Sequence, residues 1–138
     1  MSELSSTRRI LVADDDPERL QALVARLQRE GFDVLSAQDG LEALDRAREE
    51  VPDAIILNLL LRRIDGLRVC EILKSNPATT NIPVLLMAGV HVDADEGKRA
   101  LAAGADRFRQ RFHVQRMIPQ VLHLDPRRDR AEIRGGRE

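Results

Sequence analysis

Continuous apolar runs alternate along the chain with segments in which apolar residues recur every three or four positions. Residues 10–13, 54–57 and 82–87 form the runs, which are typical of strands that a parallel sheet buries on both faces. Residues 33–37 form a weaker strand candidate, and residues 106–110 alternate charged and aromatic side chains, as an edge strand does. The pattern therefore predicts five strands.

Helix signals occupy the segments that separate these strands. Asp16 before Pro17 is typical of a helix N-cap followed by proline at the first helical position. Asp39 begins a capping box before a second helix, and Asp65 opens a third. Two further helices are predicted: one capped by Asp93, closed by Gly104 and carrying the thin apolar face Ala94, Gly97 and Leu101, and one with the apolar stripe Val114, Met117, Ile118, Val121 and Leu122.

Strands that alternate with helices predict an α/β fold, a doubly wound five-stranded parallel sheet of order 2-1-3-4-5 between two helical layers. We expect a single domain over residues 9–123, with a frayed N-terminus over 1–8 and a disordered tail over 124–138. In such a fold, ligands bind at the carboxyl ends of the strands, where the strand order reverses.

Composition narrows the functional classes. The 138 residues carry a net charge of −1, with one cysteine and neither Trp nor Tyr. The small net charge gives no global attraction to nucleic acid or membrane. The lack of Trp and Tyr makes a base-stacking surface for single-stranded nucleic acid unexpected. A single cysteine excludes a disulfide framework. Because no apolar run approaches the roughly 18 residues of a membrane span and no signal peptide is evident, we expect a cytoplasmic protein.

Polar residues follow the predicted strands. Asp14, Asp15 and Asp16 follow the first strand, Asn58 ends the third, and Arg111 follows the fifth. The topology places them at one edge of the sheet, where clustered carboxylates favour a hard cation such as Mg²⁺. A solvated turn with a helix cap explains the three acids equally well, so both interpretations stay open at this point.

Six stretches in order along the chain match one known family: ILVADDDP (10–17), AQDGLEAL (37–44), PDAIIL (52–57), IDGL (64–67), IPV (82–84) and GAD (104–106). With this order and spacing, the chain resembles a response-regulator receiver domain of two-component phosphorelay systems. The resemblance implies a flavodoxin-like (βα)5 three-layer sandwich.

The resemblance also assigns positions. It implies that Asp14, Asp15 and the backbone carbonyl of Leu60 are ligands of a weak or vestigial Mg²⁺ site, and that no cofactor is required. Asn58 stands where the family carries its phosphorylated Asp, and a carboxamide is a far poorer nucleophile than a carboxylate. The other site positions are Ala88 in place of a switch hydroxyl, Phe108 at the switch aromatic, Arg111 in place of a Lys, and Phe112 in place of a Pro.

These departures favour a pseudo-receiver, a stand-alone signalling module that acts by protein–protein interaction without phosphorylation and is not an enzyme. Because the family docks and dimerises there, the resemblance implies that a protein partner, or a second copy in a homodimer, binds the fourth helix, the fifth strand and the fifth helix, where Arg107 and Arg109 are basic. The same arginines would also serve as plain edge-strand protection.

Within the pocket, we expect Arg111 to pair with Asp14 or Asp15 in place of the metal. The alternative is a working receiver that takes a phosphoryl group on Asp14, Asp15 or Asp65, or binds a phosphate ligand at Arg111. Phe108 is expected to stay fixed and inward because Ala88 offers no hydroxyl. Cys70 is expected in the core, and His91, His113 and His123 show no metal-ligand spacing.

Overall fold

The computed structural model describes residues 8–89 and 94–110. Five strands and four helices alternate in this part of the chain. Their bounds are β1 Arg9–Ala13, α1 Pro17–Arg29, β2 Asp33–Ala37, α2 Gly40–Glu50, β3 Ala54–Asn58, α3 Gly66–Ser75, β4 Val84–Ala88, α4 Ala94–Ala102 and β5 Arg107–Gln110.

The strands form one parallel sheet in the order β2-β1-β3-β4-β5, as predicted. The central strands β3 and β4 are buried along their whole length, which explains their continuous apolar runs. The predicted fourth strand began at residue 82, but β4 begins at Val84, because the amide of Ile82 closes a turn on the carbonyl of Thr79.

Alternating residues of the sheet serve two separate halves of the core. Ile10 and Val12 of β1 pack with the leucines of α1, whereas Leu11 and Ala13 pack with α2 and α3 on the opposite face. By the same alternation, Asn58 follows Ile56 on the α1 side of β3. The first turn of α1 therefore lies next to the end of the third strand.

Aspartates begin the first three helices, as predicted. Asp16, Asp39 and Asp65 each accept a hydrogen bond from a backbone amide in the first turn of α1, α2 and α3. These caps stabilise helix ends whose amides lack partners within the helix.

The predicted apolar face of α4 is partly wrong. Leu101 is 59% exposed, whereas Ala100 is fully buried. The buried positions are Ala100 in α4 and Ala103 just after it, and Gly97 is half-buried beside the ring of Phe108. These small residues let α4 lie close to β5 and place Leu101 on the outer side. Asp93, the predicted fifth helix and the tail over 124–138 lie outside the described residues.

Two glycines hold the loop between β3 and α3 close to its neighbours. A Cβ atom at Gly66 would overlap the carbonyl oxygen of Asn58 and lie 3.1 Å from the Cα of Leu59. A Cβ atom at Gly40 would overlap the carbonyl oxygen of Ile64. The backbone of this loop can approach both helices only where no side chain intervenes.

Within the described residues, no helix has the length and apolar character that a bilayer span requires.

Gly66→Ala is expected to destabilise the domain by about 2 kcal/mol or more, because the new Cβ must displace the backbone of β3 rather than a flexible side chain. Gly97→Ala is the matched control, since a Cβ there meets only the ring of Phe108 at an ordinary 3.5 Å. The control should be neutral or stabilising by up to about 1 kcal/mol from helix propensity. Urea unfolding of both variants measures the difference, and equal destabilisation would contradict the close approach at Gly66.

Cys70 lies in the core, as predicted, with its thiol 3.6 Å from the carbonyl oxygen of Ala103. Burial raises the pKa of this thiol to about 11, although Lys74 opposes the shift. The thiol is therefore protonated at neutral pH and poorly reactive.

This shift predicts a loss of stability in alkali. The unfolded thiol loses its proton near pH 8.5–9 while the native thiol keeps it until about pH 11, so the free energy of unfolding falls across that window by about 1.4 kcal/mol per pH unit. Urea unfolding of the wild type and of Cys70→Ala at about pH 8 and about pH 10 isolates the effect, because only the wild type carries it. Equal pH slopes in both proteins would refute it.

Candidate functional site

Asp14 and Asn58 meet at the carboxyl ends of β1 and β3, where the strand order of the sheet reverses. Both are among the few buried polar residues, with 2% and 3% of their surface exposed. The amide of Asp14 is fixed by the carbonyl of Ala37, and the amide of Leu59, just after Asn58, by the carbonyl of Met87. Both side chains thus emerge from backbone that the sheet holds rigidly.

The carboxylate of Asp14 accepts hydrogen bonds on both oxygens. Its Oδ1 accepts from the amide of Asp16 at 3.0 Å, from Nη2 of Arg19 at 3.2 Å and from Nδ2 of Asn58 at 3.5 Å. Its Oδ2 accepts from Nε of Arg19 at 3.2 Å. A carboxylate has about four lone-pair directions, so the side chain has little acceptor capacity left.

Among the described residues, Arg19 is the cation that contacts the acids of the pocket, and sequence analysis missed it. Its fork binds Asp14 side-on through Nε and Nη2, its Nη1 lies 2.9 Å from Oδ2 of Asp16, and its Nη2 lies 4.0 Å from Oδ1 of Asp15. The hydrogen bond with Asp14 is the largest cause of the raised pKa of Arg19. The available signal was its spacing of three and four residues from Asp16 and Asp15, at which side chains on a helix meet.

The carboxamide of Asn58 also donates into the pocket, to Asp14 and to the backbone of the loop after β3. Its Nδ2 donates to the backbone carbonyl of Leu60 at 2.9 Å, in addition to the longer bond with Asp14. The side chain of Leu60 points outward and is 72% exposed, so this residue contributes only its carbonyl to the pocket. Asn58 therefore links two of the three groups that the resemblance assigns to a metal.

The remaining predicted positions are spread around this pair. Ala88 ends β4 with 2% of its surface exposed and offers only a methyl group. Phe108 of β5 is partly buried and packs against the core with its ring beside Gly97. Arg111, the predicted partner of Asp14 or Asp15, lies outside the described residues, as do Phe112 and the three histidines. Asp65 caps α3 through the amide of Arg68, which occupies one of its oxygens.

The implied Mg²⁺ ligands, Asp14, Asp15 and the carbonyl of Leu60, have to meet the coordination geometry of the ion. Magnesium takes six oxygens at 2.0–2.1 Å in an octahedron. The carboxylate of Asp14 and the carbonyl of Leu60 already accept from Arg19 and Asn58. In the described part of the chain, no group of three or more His, Cys, Asp or Glu side chains is arranged to hold a metal ion. In this arrangement the oxygens of Asp14 and Leu60 do not fit Mg²⁺ unless Arg19 moves away.

Known proteins place this geometry in a family. The sequence model of the family described as the response regulator receiver domain matches residues 10–118 of the chain. The chain is 34% identical over 122 residues to the DNA-binding dual master transcriptional regulator RpaA of Synechocystis sp. PCC 6803, covering 88% of this chain and 51% of RpaA. It is 39% identical over 117 residues to the response regulator MprA of Mycobacterium sp. KMS, covering 84% of this chain and 50% of MprA.

The chain thus spans about half the length of these curated relatives. Among solved structures, the receiver domain of a Francisella response regulator superposes with a TM-score of 0.79 at 26% identity, covering 86% of this chain and 96% of that one. CheY4 of Vibrio cholerae shares the fold, with a TM-score of 0.80 at 21% identity over 86% of this chain and 99% of its own. The chain belongs to the response-regulator receiver domains of two-component systems.

Proposed function

We propose that this receiver domain signals without phosphorylation, as a module that binds a protein partner and performs no catalysis of its own. The observation that carries the proposal is the buried Asn58, whose amide donates to the carbonyl of Leu60 and to Asp14. An aspartate in this position offers an oxygen nucleophile to a phosphoryl donor, whereas the amide nitrogen is a poor nucleophile and is turned inward.

Two neighbouring features support the same conclusion. Ala88 has no hydroxyl with which to bond a phosphoryl oxygen. Phe108 packs against the core beside Gly97, and no phenol oxygen draws its ring toward water. A phosphoryl donor at this edge of the sheet would thus find no carboxylate at position 58 and no hydroxyl at position 88.

The partner surface follows from α4 and β5. Arg107 and Arg109 lie on the face of β5 opposite Phe108, and their guanidinium groups donate to the backbone carbonyls of Asp106 and Phe108. In the described part of the chain, neither meets a carboxylate. Two uncompensated cations on an edge strand suit an acidic partner surface, on another protein or on a second copy of this chain.

The absence of phosphotransfer can be tested with acetyl phosphate and Mg²⁺, followed by intact-mass measurement. We expect no mass gain of a phosphoryl group in the wild type, because Asn58 cannot form an acyl phosphate. A receiver domain that carries aspartate at this position serves as the control for an active donor. A phosphoryl group on Asp14, Asp15 or Asp65 would refute the proposal and favour a working receiver with altered chemistry.

The partner surface can be tested by charge reversal. Arg107→Glu with Arg109→Glu should abolish complementation of a deletion strain while thermal stability and protein level stay unchanged. Arg29→Glu with Arg48→Glu makes the same charge change on exposed positions of α1 and α2 and should still complement. If both double variants complement, the surface around β5 is not the output face. Size-exclusion chromatography of the same proteins separates a homodimer from a different partner.

A further inference from the structure

In the part of the chain that the structure describes, the cation in the acidic pocket is Arg19 of α1, the helix whose N-cap, Asp16, is one of the pocket's own acids. Arg19 lies in the first turn of α1, five residues after Asp14 and three after the N-cap Asp16. From that position, its guanidinium contacts all three acids, at 3.2 Å from Asp14, 2.9 Å from Asp16 and 4.0 Å from Asp15. No other element has to move to bring it there.

The most buried of these acids needs such a partner. Asp14 is 2% exposed, and a carboxylate withdrawn from water is tolerated only where a positive charge and hydrogen bonds compensate its lost hydration. The planar fork of Arg19 supplies both at once, since Nε and Nη2 bind the two oxygens of Asp14 side by side.

Asn58, at the end of β3, supplies a second donor to the oxygens that a metal ion would otherwise bind. Its Nδ2 binds the carbonyl of Leu60 at 2.9 Å and reaches Asp14 at 3.5 Å. A guanidinium and an amide thus donate to oxygens that the family offers to a divalent cation. A cation that entered the pocket would have to displace these donors and approach the positive charge of Arg19.

We propose that Arg19 is a built-in counter-ion that replaces Mg²⁺ in this receiver and makes its acidic pocket refractory to divalent metals. The inference deepens the proposed function, because a pocket that transfers no phosphoryl group can keep a permanent cation from its own helix. Its charge balance is then independent of the metal content of the surroundings.

A Mg²⁺ titration followed by amide NMR, with no phosphoryl donor present, tests this inference on the full chain. The wild type should show no saturable shifts at Asp14, Asp15 or Asn58. Arg19→Ala should bind Mg²⁺ about tenfold or more tightly than the wild type, because it removes a positive charge in contact with the pocket. Arg19→Lys keeps that charge and should stay refractory. Arg29→Ala, an exposed arginine of the same helix, should behave as the wild type.

Thermal unfolding gives a second readout in case Arg19→Ala folds poorly. Asp14 loses its counter-ion in that variant, so its melting temperature should fall in EDTA and recover with Mg²⁺, while that of the wild type should not respond to Mg²⁺. Saturable Mg²⁺ binding by the wild type, or an Arg19→Ala variant that neither binds Mg²⁺ nor is stabilised by it, would overturn the inference.

These results separate the two proposals. If the wild type binds Mg²⁺ but gains no phosphoryl mass, the inference that Arg19 replaces Mg²⁺ is wrong and the proposed function stands. A wild type that gains a phosphoryl group overturns the proposed function.

Discussion

The buried carboxylate of Asp14 is the constraint on which the pocket depends. It follows a strand whose last four residues are buried and is itself only 2% exposed, so its charge must be balanced inside the protein. Arg19 supplies the positive charge, and the amides of Asp16 and Asn58 add hydrogen bonds. The Arg19 side chain is itself 41% exposed, so solvent screens part of the attraction, but its loss would leave the buried carboxylate of Asp14 without its charged partner.

The loop after β3 connects the pocket with the two helices that pack beside it, α2 and α3. Asn58 reaches the carbonyl of Leu60 because the loop curls back, and its curl is set by the close approach of Gly66 and by the bond from the amide of Gly66 to the carbonyl of Leu59. The same loop meets α2 through Gly40, whose amide donates to the carbonyl of Arg62. The pocket and the two helices beside it are therefore one packed unit.

Local signals in the sequence were sufficient for the strands and for the caps at Asp16, Asp39 and Asp65, because each depends on neighbours in the chain. The strand order followed from the common arrangement of doubly wound sheets. The orientation of α4 could not be predicted, since Ala100 and Leu101 differ by one position and only the packing against β5 selects Ala100. Asp14 and Asn58 were placed together by topology. Their hydrogen bonds depend on rotamers that form only in the folded pocket, and Arg19 was overlooked because the apolar stripe of α1 defined that helix.

A counter-ion carried on the chain differs from a dissolved one in how it responds to its surroundings. Arg19 is tethered a few residues from the acids it balances, so its local concentration is fixed by the helix, and neither dilution nor a chelator can remove it. Phosphorylated aspartates also act as timers, since their acyl phosphate hydrolyses. Under the proposed function this receiver has no such clock, and the strength of its output would follow the number of copies that the cell makes and degrades.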